Sequence, residues 1–492
     1  LFLKNHSGFY QLNGRRTIIF CFLLLLGIFL LKKNSLNFIF LIIICHFFLI
    51  FTINKIQPNL TGLAGTFISI LVVVLFIYLL LVKKRIDRQR RKILFIYLFF
   101  IIITIFYLLI NALLKDIDPL IYLHYFRNHF WFIVILFYFI FLKSVVDKKK
   151  FINLMFILLF VQASIGLLQY FGPRDVSRFF LMDAYERSSG EIRTIVDERN
   201  VRLGSVETGT LGRINNFGNT LSVMIIYLSF ILFYNKEKKR HKSHFIKKVN
   251  FFQKFTLAIG ILAVFLCGVK TSVLSLLIGL IVLLWYKSKK LAISLLIVLA
   301  FFISIYQSFI IDYSKEIQKM LISNREETGF MNPLSRLATV FVLLDNISDF
   351  DKKQLLTLKR TFSLYPFVCS NPLFGAGYYW TKGYGTYTGY LHFKSKEFSR
   401  TDATLMFYIV EFGILGFFIV LIPYIFTIYL VKKYGSKKSY ITIKTVFIVL
   451  LLQTITDLGL FLLVSNMLFF VIAGIEMNLS RKKFALRRIK GK

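Results

Sequence analysis

The sequence predicts an all-α protein, a polytopic integral membrane helical bundle of about 12–13 spans with large outer loops. Three observations predict it. Hydrophobic residues make up 57% of the 492, and Phe alone occurs 57 times, while only 17% are charged. A water-soluble domain cannot hide that much apolar surface, so lipid is the solvent for much of the chain. Second, the apolar residues fall into runs near the roughly 20 that a helix needs to cross a bilayer. Third, the charge between the runs is lopsided. Segments 83–92, 147–150, 235–254, 287–290, 432–439 and 481–492 hold 32 of the 62 Lys and Arg but only three acids, Asp87, Asp147 and Glu237. They account for +29 of the net +38. Basic links of this kind stay on the cytoplasmic side, so the charge reports topology rather than nucleic-acid binding, and no nucleic-acid partner is expected. Contact of the links with anionic headgroups of the lipid bilayer follows from the same charge.

The spans are expected, in order, near 17–31, 36–53, 62–82, 93–114, 130–146, 151–171, 217–234, 255–269, 272–286, 291–311, 403–430, 440–457 and 459–478. The chain opens at Leu1 rather than Met, so an earlier start is expected. The first run is short and is followed at once by another, which reads as anchoring rather than as a cleaved signal. With basic links inward, residues near 115–129, 172–216 and 312–402 face outward. The organisation is then N-terminal spans over 1–171, an outer loop over 172–216, central spans over 217–311, a large outer loop with short surface helices over 312–402, and C-terminal spans with a basic cytoplasmic tail over 403–492. The location this implies is the inner (plasma) membrane, with the long loops on the periplasmic or outer side.

Loops this long are uncommon without a role. Residues 172–216 carry seven Arg, no Lys and seven acids; residues 312–400 carry twelve basic and eight acidic residues. One reading is a solvated cap over the helices. The other is an Arg-lined site for a phosphate-bearing substrate, since the guanidinium fork matches paired phosphate oxygens where Lys offers a point charge. Cys21, Cys45 and Cys267 lie in apolar runs and Cys369 stands alone in a loop, so neither disulfide nor metal spacing is present. No phosphate loop, dinucleotide turn or His-Glu-x-x-His occurs. No metal and no cofactor are expected.

Three stretches carry a resemblance. "GRINNFGNTLSVMI", residues 212–225, leads into a span. "FLCGVKTSVLSLLIGL", residues 265–280, makes a tight outer turn between two spans. "NPLSRLATVFVLL" (332–344), "SNPLFGAGYYW" (370–380) and "TDATLMFYIVEFGILGFF" (401–418) open, follow and close the large outer loop. In order and spacing they resemble the O-antigen polymerase and O-antigen ligase superfamily of polytopic membrane glycosyltransferases, over roughly residues 150–430. In that superfamily the turn between spans usually holds Ser-Arg, and Lys270 takes the Arg place here. The large loop opens with an Arg, continues with an Asn-Pro-Leu-Phe-Gly-x-Gly turn, and closes on a helix containing Glu-x-Gly.

The resemblance implies a GT-C-like glycosyltransferase fold. It implies an undecaprenyl-diphosphate-linked glycan as both donor and acceptor, with a chain-length regulator and a flippase as accessory partners. The implied catalytic residues are Asp402, as base for the acceptor hydroxyl, and Arg336, facing the diphosphate. The implied substrate-binding residues are Lys270, Arg213, Asn371, Gly375, Gly377, His392 and Arg400. The residues themselves leave alternatives open. Gly375 and Gly377 with Pro372 also suit a plain re-entrant corner. Arg336 sits among Leu337, Val340, Phe341 and Leu344, in a pattern for a surface helix from which an Arg simply snorkels. Lys270 between two apolar runs either marks the end of a turn or serves function. Asp402 also suits a helix N-cap. Asp116, Asp118 and Asp457 are explained by turns and helix ends.

At the register of Asp402 the ligases usually carry His, so the acid favours repeat-unit polymerisation in O-antigen, capsule or exopolysaccharide synthesis. The ligase reading, in which finished glycan moves to a lipid A core, stays open through His392. A flippase or other transporter is the rival from another class, although transporters usually place charges at the middle of spans and show paired halves.

Overall fold

A computed structural model describes residues 35–56, 70–72, 74–75, 77, 88–114, 133–141, 148–171, 184–186, 192–194, 211, 214–234, 244–298, 301, 372–375, 404–456 and 463–477. The helices are α1 (Ser35–Ile56), α2 (Arg88–Leu114), α3 (Ile133–Phe141), α4 (Lys148–Phe171), α5 (Ile214–Tyr234), α6 (His244–Leu266), α7 (Lys270–Lys287), α8 (Thr404–Tyr434), α9 (Lys437–Thr456) and α10 (Leu463–Met477). Residues 289–298 are also helical. The described structure is helical apart from one small antiparallel hairpin, β1 (Ala184–Glu186) with β2 (Ile192–Thr194), in which Tyr185 lies opposite Arg193. The all-α class expected from the sequence holds, with the hairpin a short addition to it. The hairpin falls inside 172–216, where the chain lacks the apolar runs that impose helix elsewhere.

Among the described residues three helical segments are long and apolar enough to cross a membrane: Arg90–Leu114, Lys148–Phe171 and Phe412–Tyr434. Shorter apolar helices accompany them at Asn37–Leu49, Asn216–Leu232, Phe251–Leu266, Thr271–Lys287 and Val464–Met477. In hydrocarbon each backbone N–H and C=O must be satisfied within its own segment, which is why such runs become helices.

The position of each helix follows from its apolar perimeter. A helix that is apolar all round belongs inside. Helix α5 is buried at every residue from Phe217 to Ile231, α3 from Ile133 to Ile140, and α10 from Val464 to Met477. Helix α5 packs against α4, α6, α7, α9 and α10 and forms the axis of the bundle. Helix α3 lies against α10, where the ring of Phe139 sits over Gly474 at a distance that only a glycine permits. Helix α2 lies outside. It buries Leu94, Tyr97, Tyr107 and Leu108 and exposes Phe95, Phe99, Ile102, Phe106 and Leu113. So continuous an apolar face is stable against lipid and not against water.

The two ends of the bundle differ. At one end Glu476 of α10 accepts from Lys148 Nζ at 2.5 Å, Tyr227 Oη at 3.1 Å and Ser439 Oγ at 2.7 Å. A Cβ on Gly435 in the α8–α9 turn would lie 3.3 Å from the Glu476 carbonyl oxygen. This end therefore collects the starts of α4 and α9 and the finishes of α8 and α10, and with them Lys148, Lys149, Lys150, Lys432, Lys433, Lys437 and Lys438. The other end holds the start of α5, the α6–α7 turn and the finish of α9.

Candidate functional site

At the end remote from Glu476 a four-residue turn, Pro372–Gly375, docks into a break in α8. The break is at Gly413, with φ 66° and ψ −178°. Almost no residue but glycine adopts that backbone. Past the break, Ile414 N–H and Leu415 N–H have no carbonyl one turn earlier to bond. They donate instead to Pro372 O (2.8 Å) and Leu373 O (3.3 Å). The turn thus caps the second half of α8. A Cβ on Gly413 would collide with the Leu373 carbonyl group, so glycine is needed for space as well as conformation. Gly375 closes the turn at φ 69° and is buried.

Helix α2 holds this junction from the side. Asn111 Nδ2 donates to Phe374 O at 2.6 Å. The Tyr107 ring stacks on Phe374, centroids 6.0 Å apart and planes 11° apart, and its hydroxyl donates to Phe412 O, the carbonyl just before the break. Three segments far apart in sequence, near 107–111, 372–375 and 412–415, meet here. Two of them are the Asn-Pro-Leu-Phe-Gly turn and the Glu-x-Gly helix singled out in the sequence.

The other two singled-out stretches also meet. Gly218 of α5 packs against Cys267 and Ser272, closely enough that a Cβ would lie 2.6 Å from Ser272 Oγ. Ser272 Oγ donates to Asn219 Oδ1 at 2.6 Å, and Ser222 Oγ donates to Ser272 O at 3.1 Å. Cys267 begins the turn, Gly268 carries it at φ 66°, and Lys270 is the first residue of α7. Lys270 is thereby set at the end of the bundle that also carries the α8 break, two residues from a buried hydrogen-bonded serine.

Of the residues the sequence put forward, Gly375 and the backbone of Lys270 are described. Arg213, Arg336, Asn371, Gly377, His392, Arg400 and Asp402 lie outside the described residues. Tyr107, Asn111 and Gln453 were missed. The signal for the first two was present: Thr104, Tyr107 and Asn111 recur at i, i+3 and i+7 and mark one polar stripe on an otherwise apolar helix. Among the described residues no group of His, Cys, Asp or Glu has the arrangement of a metal site.

No protein-family model matches the chain, and no curated protein matches it.

Proposed function

We propose that the chain is a multi-pass inner-membrane polymerase of undecaprenyl-diphosphate-linked oligosaccharide repeat units, with its site on the outer face. The observation that supports the reading is the meeting of the Pro372–Gly375 turn with the glycine break of α8. It gives the closing elements of the large loop a fixed seat at one end of the bundle, opposite the lysine-rich end. With basic ends inward, that seat faces outward.

The chemistry requires no cofactor. The acceptor hydroxyl attacks the anomeric carbon of the donor. A C–O bond forms, the bond from that carbon to the lipid diphosphate breaks, and the diphosphate departs with its electron pair. The Asp402 carboxylate takes the hydroxyl proton. Arg336 and Lys270 neutralise charge growing on the leaving diphosphate, an electrostatic role like that of an oxyanion hole. The GT-C-like fold and the dozen or so spans belong to the same proposal.

The deciding substitution is Asp402→Asn. It keeps an excellent N-cap but loses the basic oxygen. A base role predicts surface glycan of one repeat with no ladder; a full ladder at matched protein level removes Asp402 from catalysis and moves suspicion to His392. Complete loss of surface glycan on deletion of the chain, rather than single-repeat glycan, would instead mark a ligase. Arg336→Ala and Lys270→Ala should each slow transfer about 10- to 100-fold, from losing a charge-assisted contact of about 1.5–3 kcal/mol. Wild-type polymer length with either variant takes that residue out of the site.

A further inference from the structure

Behind Lys270 the bundle contains a polar cluster shared by α5, α7 and α9. Asn219, Ser222, Ser272, Ser275 and Gln453 are all fully buried. Their bonds form a directed chain. Ser275 Oγ donates to Ser272 O at 3.1 Å, so its oxygen is free to accept. Gln453 Nε2 donates to that oxygen at 3.0 Å and to the Asn219 carbonyl oxygen at 3.4 Å. This fixes the orientation of the amide, because two acceptors face its nitrogen and an oxygen in the same place would be repelled by the Asn219 carbonyl. The other end of the same amide is left over. Among the described residues no group donates to Gln453 Oε1, although it is sealed from the surface. A buried amide oxygen without a donor is costly, and natural interiors seldom keep one unless something else supplies the bond.

We propose that Gln453 Oε1 is the anchor of an internal binding site for one neutral O–H group. The chemistry of the cluster selects that ligand class. A cation would find one neutral oxygen there, too little to offset the loss of its hydration in a buried place. An anion would face the one open position, which is itself an acceptor. An apolar guest would leave the oxygen unmet. A hydroxyl donates one hydrogen bond to Gln453 and brings no charge. It has two sources, an ordered water or a hydroxyl of a sugar reaching inward from the end that carries Lys270.

The test is a cryo-electron-microscopy map of the full chain in nanodiscs of phosphatidylethanolamine and phosphatidylglycerol, at a resolution that shows ordered water. It is collected once without additive and once with a prenyl-diphosphate glycan. Density within hydrogen-bond distance of Gln453 Oε1 in both maps identifies water. Density in the second map alone identifies a sugar hydroxyl, and only that outcome rests on the proposed function. Gln453→Met, which keeps side-chain length but removes the acceptor, should abolish the density while α5, α7 and α9 keep their packing. Two results overturn the site: no density beside Gln453 Oε1 in either map, or a Gln453 side chain turned so that a protein group donates to that oxygen. Density that survives Gln453→Met shows an occupant held by other groups and overturns the assignment to Gln453.

Discussion

Tyr107 combines two separable roles. Its ring stacks on Phe374, and its hydroxyl donates to the Phe412 carbonyl at the α8 break. Tyr107→Phe keeps the ring and removes only the hydroxyl. We expect a loss of about 0.5–1.5 kcal/mol, the net range for one internal hydrogen bond. Asn111→Leu removes the bond to Phe374 O and should cost a similar amount. If both residues serve one junction, their effects on melting temperature in detergent will fall short of additive in the double variant. Strict additivity would mean that the two contacts stabilise different things. Gly413→Ala should be worse than either. The backbone penalty alone is of order 1–3 kcal/mol, and the overlap with the Leu373 carbonyl adds to it.

At the level of elements, Glu476 joins three other helices, α4 through Lys148, α5 through Tyr227 and α9 through Ser439. The partners are unequal. Lys148 is 45% exposed, so Lys148→Met should cost no more than about 1 kcal/mol, because water can replace the carboxylate. Glu476→Ala deprives the buried Tyr227 hydroxyl of its acceptor and should cost about 1–3 kcal/mol. Thermal denaturation of the two variants in the same detergent compares them directly, and equal losses would show that the ion pair rather than the hydroxyl contact dominates. The elements themselves were largely legible in the sequence. Apolar runs at 93–114 and 151–171 became Arg88–Leu114 and Lys148–Phe171, because lipid forces such runs into helix whatever surrounds them. The break in the run at 403–430 was not legible. Gly413 looks like any membrane-helix glycine until a turn forty residues earlier supplies the carbonyls that replace its missing helical bonds. The clamp from α2 was hidden for the same reason: a pairing across 305 residues leaves no local trace.

For the whole molecule, the lysine-rich start of α4, finish of α8 and start of α9 gather with the finish of α10 at one end, and the singled-out turns gather at the other. Charge and site thus point in opposite directions along one axis. A cysteine in place of Ser188 or Ser363, in a Cys369→Ser background, should react with a membrane-impermeant thiol reagent in cells with a permeabilised outer membrane. A cysteine in place of Ser436, in the lysine-rich α8–α9 turn, should react only after lysis. Labelling of Ser436→Cys in unlysed cells would invert the arrangement. The gathering of lysines at one end of the described helices was visible from the spacing of Lys and Arg alone. The grouping of Gly218 with Ser272, and of Ser275 with Gln453, was not, since each pair joins runs that look equally apolar on paper.

The clamp on the α8 break also bears on how the chain is made. Tyr107 and Asn111 enter the membrane early, but Phe412 is synthesised 305 residues after Tyr107. At elongation rates of roughly 5–20 residues per second, that gap lasts about 15–60 s. Throughout it the tyrosine hydroxyl, and for the 263 residues before Phe374 the Asn111 amide, sit in or near hydrocarbon without the carbonyls they later meet. A nascent chain stalled before residue 404 should therefore cross-link through α2 to insertion factors or quality-control proteases, and a chain extended past residue 434 should not. Asn111→Leu should release the stalled chain from that surveillance even though it weakens the finished protein.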